Sequence, residues 1–302
     1  LQTISAYRTI TTDYRFNTDG TEIPVTESKF EVEQNQHSHE LRFASNNIGA
    51  WQWLAGISWL KETPVLSVGL TRFPLNTSTV ILADAETTAW GSYGEIGWKF
   101  HPQWNATLRL RNSFERRDDS NKIFSTGDLL GLDSSAVDAP RNLSAQRNSS
   151  FQKLSPQFML SFSPASVTGN KLWFLNATEG FKSGGANSLS TSPSFKPEEI
   201  MSYETGYKSS SDQGQWSVTA FHYDYKNLQV VTFEKGFTAV TNAATATIDG
   251  IDVSGVFNFG DHVQYQTGIS YLNAHYDHFI TSVAGAAKDV SGNSMPYAPE
   301  WD

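Results

Sequence analysis

The sequence is built from extended segments in which apolar and polar residues alternate with a period of two. The clearest segment runs from Trp104 to Arg116, where most even positions are apolar and most odd positions are polar or charged. Successive side chains of a β-strand point to opposite faces of the sheet, so such a segment has one apolar and one polar face. The pattern therefore predicts strands along the whole chain and no helix of consequence.

Eleven segments carry this signature, and a twelfth strand is predicted to begin near Tyr297. The eleven cover residues 1–11, 37–46, 51–59, 88–100, 104–116, 151–163, 170–182, 199–209, 215–228, 251–259 and 263–277. The connections between them alternate strictly between short and long. The short connections are predicted at 47–49, 101–103, 164–169, 210–214 and 260–262, and the long ones at 12–36, 63–87, 117–150, 183–198, 229–245 and 278–296.

Strict alternation places every tight turn at one end of an up-and-down sheet and every long loop at the other end. Outer-membrane barrels have this asymmetry, whereas soluble sandwiches with Greek-key connections do not require it. Strands of about 11 to 14 residues at ~3.3 Å each, tilted by ~45°, rise roughly 26 to 33 Å, enough to cross an apolar band of ~25 Å. The sequence therefore predicts an antiparallel barrel whose apolar face contacts lipid.

The composition agrees with a lipid-facing barrel. Charged residues make up 18% of the chain and aromatic residues 13%, while ordinary soluble domains are roughly one-quarter charged. Aromatic residues mark predicted strand ends, as girdles at a lipid interface would. They are Trp51, Trp90, Trp104, Trp173, Tyr203, Tyr207, Trp216, Tyr223 and Tyr225. The formal charge of -9 argues against a nucleic-acid partner, which would need surplus Lys and Arg.

Neither a catalytic site nor a metal site is predicted. The chain has no cysteine, which excludes thiolate ligands and cysteine nucleophiles, and it carries no nucleophile elbow or zinc-binding helix signature. His37 and His39 share one face of a strand, but no third ligand is identifiable. We therefore expect a protein that is not an enzyme and that has no cofactor.

Six motifs, in order and at the expected spacing, resemble the barrel of TonB-dependent outer-membrane receptors. They are His39–Ser45 with Trp51–Gly56, Glu179–Asn187, Phe195–Glu198 with Tyr203–Lys208, Phe221–Gln229, Asn242–Gly250 and Tyr297–Trp301. The resemblance spans nearly the whole chain. It departs from the family at Glu179, where such receptors often have Arg, and at Ala186, where an aromatic residue is common.

The resemblance implies an all-β, antiparallel up-and-down transmembrane barrel of 22 strands, closed by an N-terminal plug. Such receptors import iron–siderophore complexes, haem, cobalamin or glycans with energy delivered through TonB. Residues 1–302 would then be a single partial barrel domain with about 11 to 12 of those strands. The plug, the TonB-contacting segment and the final strands would be absent. We expect a monomeric protein of the bacterial outer membrane that takes up a ferric siderophore or another iron complex.

Six residues are candidates for ligand binding in the lumen or the outer loops. They are Arg109, Arg111, Arg116, Arg117, Phe181 and Lys182. Guanidinium groups bind anionic chelates in a bidentate manner. In the alternative interpretation, these arginines pair with lumen carboxylates such as Glu95 or Glu115 and merely keep the interior solvated. Phe181 and Lys182 precede Gly184 and Gly185 in a predicted turn at the outer rim, which is either a simple turn or a loop that closes over ligand.

Two other functions stay open at this point. A soluble all-β protein that binds or cleaves carbohydrate would use its aromatic residues to stack on sugars, and a passive porin would need no plug. The chain begins with Leu1 rather than Met and ends at Asp302, just after the turn-like segment 296–299, so we expect an interior piece of a longer protein. Unpaired edges are costly in a bilayer, which predicts either a strongly curved open sheet or a smaller forced closure.

Overall fold

The chain forms one antiparallel sheet in the computed structural model. The structure describes residues 1–17, 20, 22, 25–46, 49–73, 77–126, 141–166, 169–188, 193–234, 237–260, 262–283 and 286–302. These residues form twelve strands in chain order. The strands are β1 (Gln2–Asn17), β2 (Thr26–Ala44), β3 (Trp51–Arg72), β4 (Thr77–His101), β5 (Trp104–Thr126), β6 (Arg141–Phe162), β7 (Asn170–Lys182), β8 (Glu198–Ser211), β9 (Gly214–Glu234), β10 (Phe237–Phe259), β11 (Val263–Val283) and β12 (Ala286–Asp289).

The order of strands in the sheet is the order in the chain, from β1 to β12. The all-β, up-and-down antiparallel fold is therefore confirmed. β1 and β12 form the two edges of the described sheet, so the chain adopts the open alternative rather than a smaller closed barrel. In the described part of the chain, nothing helical is long and apolar enough to cross a membrane.

The predicted long loops were wrong in extent, because most of them continue the strands. β4 has 25 residues and β5 has 23, whereas the sequence suggested 11 to 14 for each strand. The predicted loop at 63–87, for example, is largely the outer ends of β3 and β4, paired from Glu62 and Thr87 up to Arg72 and Thr77. A hairpin that projects beyond the hydrocarbon needs backbone pairing but no apolar outer face, so its strands lose the alternation that marks a lipid-facing segment.

An apolar row on one face joins these hairpin extensions. Tyr14, Phe30, Val68, Ile81 and Ile123 are successive register partners from β1 to β5. Val68, Ile81 and Ile123 are buried and form a core with Phe30 packed against it. Packing along this row joins five neighbouring strands into one wall beyond the apolar band.

The end of the chain returns to β11. The Ser270 and Asp302 backbones exchange N–H···O bonds of 2.9 and 3.1 Å, and Trp301 bridges Tyr271. This pairing places the start of a further strand where the sequence predicted one. β12 itself is a short return along the outer end of β11, within the predicted connection 278–296.

The ladder between β6 and β7 is interrupted. It consists of six register pairs and ends at Gln157 and Thr178, although β6 continues to Arg141 and β7 to Lys182. The next residue of β6 is Pro156, which has no N–H to donate and is tolerated mainly where a ladder ends. We call the gap between residues 141–156 of β6 and residues 179–182 of β7, where no ladder joins the two strands, the seam.

We call residues 183–197, which follow β7, the strap, and its described residues 183–188 and 193–197 cover the inner side of the seam. Residues 189–192 of the strap lie outside the described part of the chain. On one side, Ser183 Oγ donates to Glu115 at 2.9 Å and Asn121 donates to the Ser188 carbonyl at 3.2 Å. On the other side, the Asn187 side chain exchanges two hydrogen bonds with the Val240 backbone. The strap thus ties β5 to β10 across the seam.

Candidate functional site

The sheet has an apolar convex face. Several large apolar side chains on this face are more than a third exposed. They include Ile57, Ile96, Leu108, Phe158, Leu175, Ile251 and Ile269. Stacked Trp51 and Trp98, with ring centroids 5.2 Å apart, border this band on the short-turn side, and Trp59 and Trp90, 6.2 Å apart, border it on the other side. A contiguous exposed apolar band between aromatic girdles is what a bilayer covers.

Two of the aromatic residues predicted for the girdles are elsewhere. Tyr223 donates from its hydroxyl to Glu204 at 2.9 Å on the opposite, polar face. Tyr225 packs against the buried cluster that contains Leu228 and Ala246. Both belong to the aromatic-rich β9, in which alternation alone does not separate a girdle residue from an inward-facing one.

The concave face carries paired charges. Arg109 Nε donates to Glu95 Oε2 at 2.8 Å, and its Nη1 donates to Gln157 at 2.9 Å. Arg109 and Glu95 are direct register partners on β5 and β4. Arg109 therefore pairs with Glu95, as in the second interpretation of the sequence. The described hydrogen bonds of Arg109 are all made to side chains of the neighbouring strands β4 and β6.

A second group on this face links three strands. Arg42 Nη2 donates to Glu40 at 2.8 Å, and Arg42 Nε donates to the Tyr93 hydroxyl at 3.1 Å. The same hydroxyl donates to the other oxygen of Glu40. Each member therefore contacts the other two, and the charges of Glu40 and Arg42 compensate each other within the wall.

Arg111 lies beside this group and, unlike Arg109, is not paired with a carboxylate among the described residues. Its Nε donates to Ser113 Oγ at 3.1 Å, and its guanidinium carbon lies 5.7 Å from the centre of the Tyr93 ring. Among the described residues, no carboxylate oxygen lies within 4 Å of its nitrogens. Arg111 thus presents terminal N–H groups to the concave side.

A cavity of about 640 Å³ on the concave face brings Arg111 together with Phe181 and Lys182. Its lining extends from Ile4 on β1 to Ser183 after β7, which requires a strongly curved sheet. Glu115 also lines it and accepts the Ser183 hydrogen bond. Three of the six predicted ligand residues therefore share one cavity.

Arg116 and Arg117 are neighbours in sequence but lie on opposite faces, as strand geometry requires. Arg116 pairs with Asp118 at 3.1 Å, and its side chain is 62% exposed. Arg117 shares the face of Arg111, and its Nη2 lies 3.7 Å from Oδ1 of Asp119. Neither residue lines the cavity that Arg111 faces.

Asp119 lies beyond Phe114 on β5, outside the apolar band. Its side chain is only 5% exposed, and neither carboxylate oxygen accepts a hydrogen bond from the described residues. Burial raises the pKa of the Asp119 carboxyl, and the nearby Arg117 and Arg147 charges offset this only in part. The charged form of Asp119 is therefore unfavourable in this position.

Sequence reasoning missed Glu40, Tyr93 and Gly56 beneath the Tyr93 ring, whereas the Gly91, Gly94 and Gly97 series did suggest small, lumen-facing or close-packed strand positions. The alternation in His39–Ser45 does place Glu40 and Arg42 on one face, which was an available signal. Their contact with Tyr93 depends on the register of β2, β3 and β4. Nothing in the described part of the chain brings three His, Asp or Glu side chains together as a metal site.

Comparisons with known proteins bear on this architecture. The family described as TonB dependent receptor-like, beta-barrel, matches residues 1–302. No curated protein matches the chain. The structure of the ferric yersiniabactin uptake receptor FyuA from Yersinia pestis is similar, with a TM-score of 0.75 and 16% identity, over 99% of this chain and 42% of that one.

Two further solved structures share the fold. The siderophore receptor PiuA from Acinetobacter baumannii has a TM-score of 0.66 and 16% identity, over 99% of this chain and 48% of that one. The copper transporter OprC has a TM-score of 0.58 and 11% identity, over 91% of this chain and 43% of that one. At such identities the likeness concerns the fold alone. The chain spans less than half the length of each of these proteins.

Proposed function

Since the chain belongs to the TonB-dependent receptor family of outer-membrane β-barrels, we propose that it is part of the wall of a receptor that imports a ferric siderophore or another anionic iron complex. The complete receptor then also contains a plug, through which TonB delivers energy. It acts as a monomer, without a cofactor of its own, and transports its ligand without chemical conversion. Residues 1–302 contribute a single partial barrel domain to it.

The observation that carries this proposal is the composition of the cavity at Arg111. The cavity holds two cations, Arg111 and Lys182, that have no carboxylate oxygen within 4 Å among the described residues. Its two carboxylates already accept hydrogen bonds, Glu40 from Arg42 and Tyr93, and Glu115 from Ser183. Phe181 lines the same cavity. A concave site with cations available for pairing suits an anionic ligand, which describes many ferric chelates.

The other predicted ligand residues have different roles in this proposal. Arg109 is held by Glu95, and Arg117 lies 3.7 Å from the buried Asp119; neither arginine lines the cavity that Arg111 faces. Arg116 lies on the convex side, and its exposed pair with Asp118 belongs to the hairpin outside the membrane. We therefore assign ligand contact to Arg111, Phe181 and Lys182.

Binding to the purified full-length receptor tests the proposal. Tryptophan fluorescence is titrated with ferric citrate as an anionic chelate and with a neutral ferric tris-hydroxamate. We expect tighter binding of the anionic complex, weakened about tenfold by Arg111→Gln and by Lys182→Gln, because each removes a charge-assisted hydrogen bond. Arg116→Gln is the matched control. Equal affinity for the two chelates, or binding of neither, would overturn the anionic-chelate proposal.

Transport distinguishes an energised receptor from a passive pore. Cells that depend on the full-length receptor are given iron-55 as ferric citrate, with and without a protonophore. Energised import predicts that uptake stops when the proton gradient collapses. Uptake that continues unchanged would instead support the porin alternative.

A further inference from the structure

Two glycines on neighbouring strands of the concave face lie beneath two long side chains. A Cβ atom on Gly56 of β3 would lie 2.4 Å from the Tyr93 ring carbon Cζ and from its hydroxyl. A Cβ atom on Gly91 of β4 would lie 2.5 Å from Nη2 of Arg111 and 2.7 Å from Oγ of Ser58. Real Cβ contacts are not this short, so only glycine leaves room for these side chains in their present positions.

The space over Gly56 determines how Tyr93 lies. Gly56 is the direct register partner of Tyr93. The ring crosses Gly56 towards β2, where its hydroxyl meets Glu40 and Arg42. Fixed at its far end by two hydrogen bonds, the ring is a rigid part of the wall.

The space over Gly91 determines how Arg111 lies. The Arg111 side chain leaves β5 and passes over Gly91 of the adjacent strand β4, and its Nε donates a hydrogen bond to Ser113 Oγ. The Tyr93 ring lies beside the guanidinium group, at a distance within cation–π range. Gly91, Ser113 and Tyr93, none of which carries a charge, therefore fix the plane of the guanidinium group.

We propose that Gly91 and Tyr93 are positioning residues for Arg111, and that the guanidinium held in this way selects a carboxylate-bearing chelate. The inference rests on the proposed function, since it concerns the same cavity. A carboxylate is planar and accepts two parallel N–H bonds, so it matches a guanidinium fork of fixed plane better than a spherical or single-point anion does. A lysine, whose ammonium has no plane, cannot provide this match.

The chain offers a matched control for the space over Gly91. Gly97 lies on the same strand and the same face as Gly91, but a Cβ atom there would meet Thr107 Oγ1 at 3.7 Å, an ordinary contact. Gly91→Ala must move the far end of Arg111, which is flexible enough to shift without unfolding the strand. Gly97→Ala changes the same strand without touching Arg111.

The test measures how variants of the full-length receptor bind ferric citrate, which bears carboxylates, and a neutral ferric tris-hydroxamate. We expect Gly91→Ala, Tyr93→Leu and Arg111→Lys each to weaken ferric citrate binding about tenfold, the effect of one lost charge-assisted hydrogen bond. Tyr93→Phe keeps the ring but loses the hydroxyl contacts, so a smaller loss is expected. Gly97→Ala should equal the wild type, and no variant should alter tris-hydroxamate binding.

The outcomes separate the inference from the proposed function. If wild-type receptor binds ferric citrate and Arg111→Gln weakens it while Gly91→Ala and Tyr93→Leu do not, the positioning role is wrong and the anionic-chelate proposal stands. Equal weakening by Gly91→Ala and Gly97→Ala, or loss of binding to both chelates, would show a general structural effect and would also overturn the inference. If Arg111→Lys binds as tightly as the wild type, selection by a planar fork is wrong. If wild-type receptor does not bind ferric citrate at all, both proposals fail.

Discussion

Lys153 of β6 reaches Glu179 of β7 across the seam, with Nζ 2.5 Å from Oε1. The same ammonium lies 3.2 Å from Glu199 of β8, so one cation holds carboxylates from two strands where no backbone ladder joins β6 to β7. Glu179 is also one of the two positions at which the sequence was expected to depart from its family, with Arg expected in its place. An arginine at this position would repel Lys153, whereas Glu179 forms an ion pair with it across the seam.

Replacing Lys153 with Met is expected to loosen the seam. It removes the bridging charge and leaves Glu179 and Glu199 to repel each other, at a cost of about 1–2 kcal/mol for charged hydrogen bonds at a partly exposed site. Hydrogen exchange of the full-length receptor should become faster in residues 151–155 and 179–182. Lys99→Met is the control, because the described residues place no carboxylate within 4 Å of Lys99. Unchanged exchange at the seam would mean that the strap alone closes it.

Gly184→Ala is expected to displace the strap. A Cβ atom at this position would lie 2.2 Å from the Phe195 carbonyl oxygen and 2.9 Å from the Phe151 ring. Since the closest atom belongs to the backbone, the backbone must shift, and we expect a loss of about 1–3 kcal/mol typical of overpacking. Limited proteolysis of the full-length receptor should then cut within the strap sooner. Gly268→Ala, where the nearest neighbour is the Val253 carbonyl at 4.0 Å, should leave the digestion pattern as it is. Equal protection of both variants would show that the strap adapts without cost.

Arginine substitutions at two consecutive residues of β5 test the orientation of the wall. Leu108 is 48% exposed on the convex face, so Leu108→Arg should cost about 2–4 kcal/mol near the bilayer midplane. Thr107→Arg places the same charge on the polar concave face and should be tolerated. The measurement is the temperature at which the full-length receptor loses its compact, heat-modifiable band on gels. A larger loss for Thr107→Arg would mean that the lipid side is assigned wrongly.

The sequence predicted the faces of strands well where lipid covers one side. On β5 the alternation assigned Leu108 to one face and Arg109 to the other, and it named Glu95 as a partner for the arginines, as the structure has it. This works because hydrocarbon penalises polar groups, so the period of two is enforced residue by residue. The alternation of short and long connections was also visible in the sequence, because outer-membrane barrels have short turns at one end and long loops at the other.

Beyond the apolar band no hydrocarbon covers the convex face, and the alternation no longer shows where a strand ends. Arg117 and Asp118 were assigned to a loop, although both belong to β5. Contacts across several strands were also out of reach. Tyr93 meets Glu40 from 53 positions away, and a shift of one residue in register would move either side chain to the opposite face. The space over Gly56 and Gly91 depends on the same registers.

Asp119→Asn is expected to stabilise the β5–β6 hairpin at neutral pH. Burial raises the pKa of Asp119 above its ordinary value of 3.8, so the folded state favours the protonated carboxyl. The contribution of this group to stability is therefore complete below pH 3.8 and is lost as the pH rises through the folded-state pKa. Asparagine mimics the protonated form at every pH. The variant should unfold at a higher temperature than the wild type at neutral pH, and the difference should shrink as the pH falls.

Asp118→Asn is the control for this prediction, because the two residues are adjacent but differ in burial. Asp118 is 39% exposed and pairs with Arg116 on the convex side, so its replacement should give no gain at neutral pH and at most a small loss. The measurement is thermal unfolding of the full-length receptor, with hydrogen exchange in residues 117–123 to locate the effect. Lower stability of Asp119→Asn at neutral pH would contradict the prediction, because it would mean that the attraction of Arg117, 3.7 Å away, outweighs the burial of the charge.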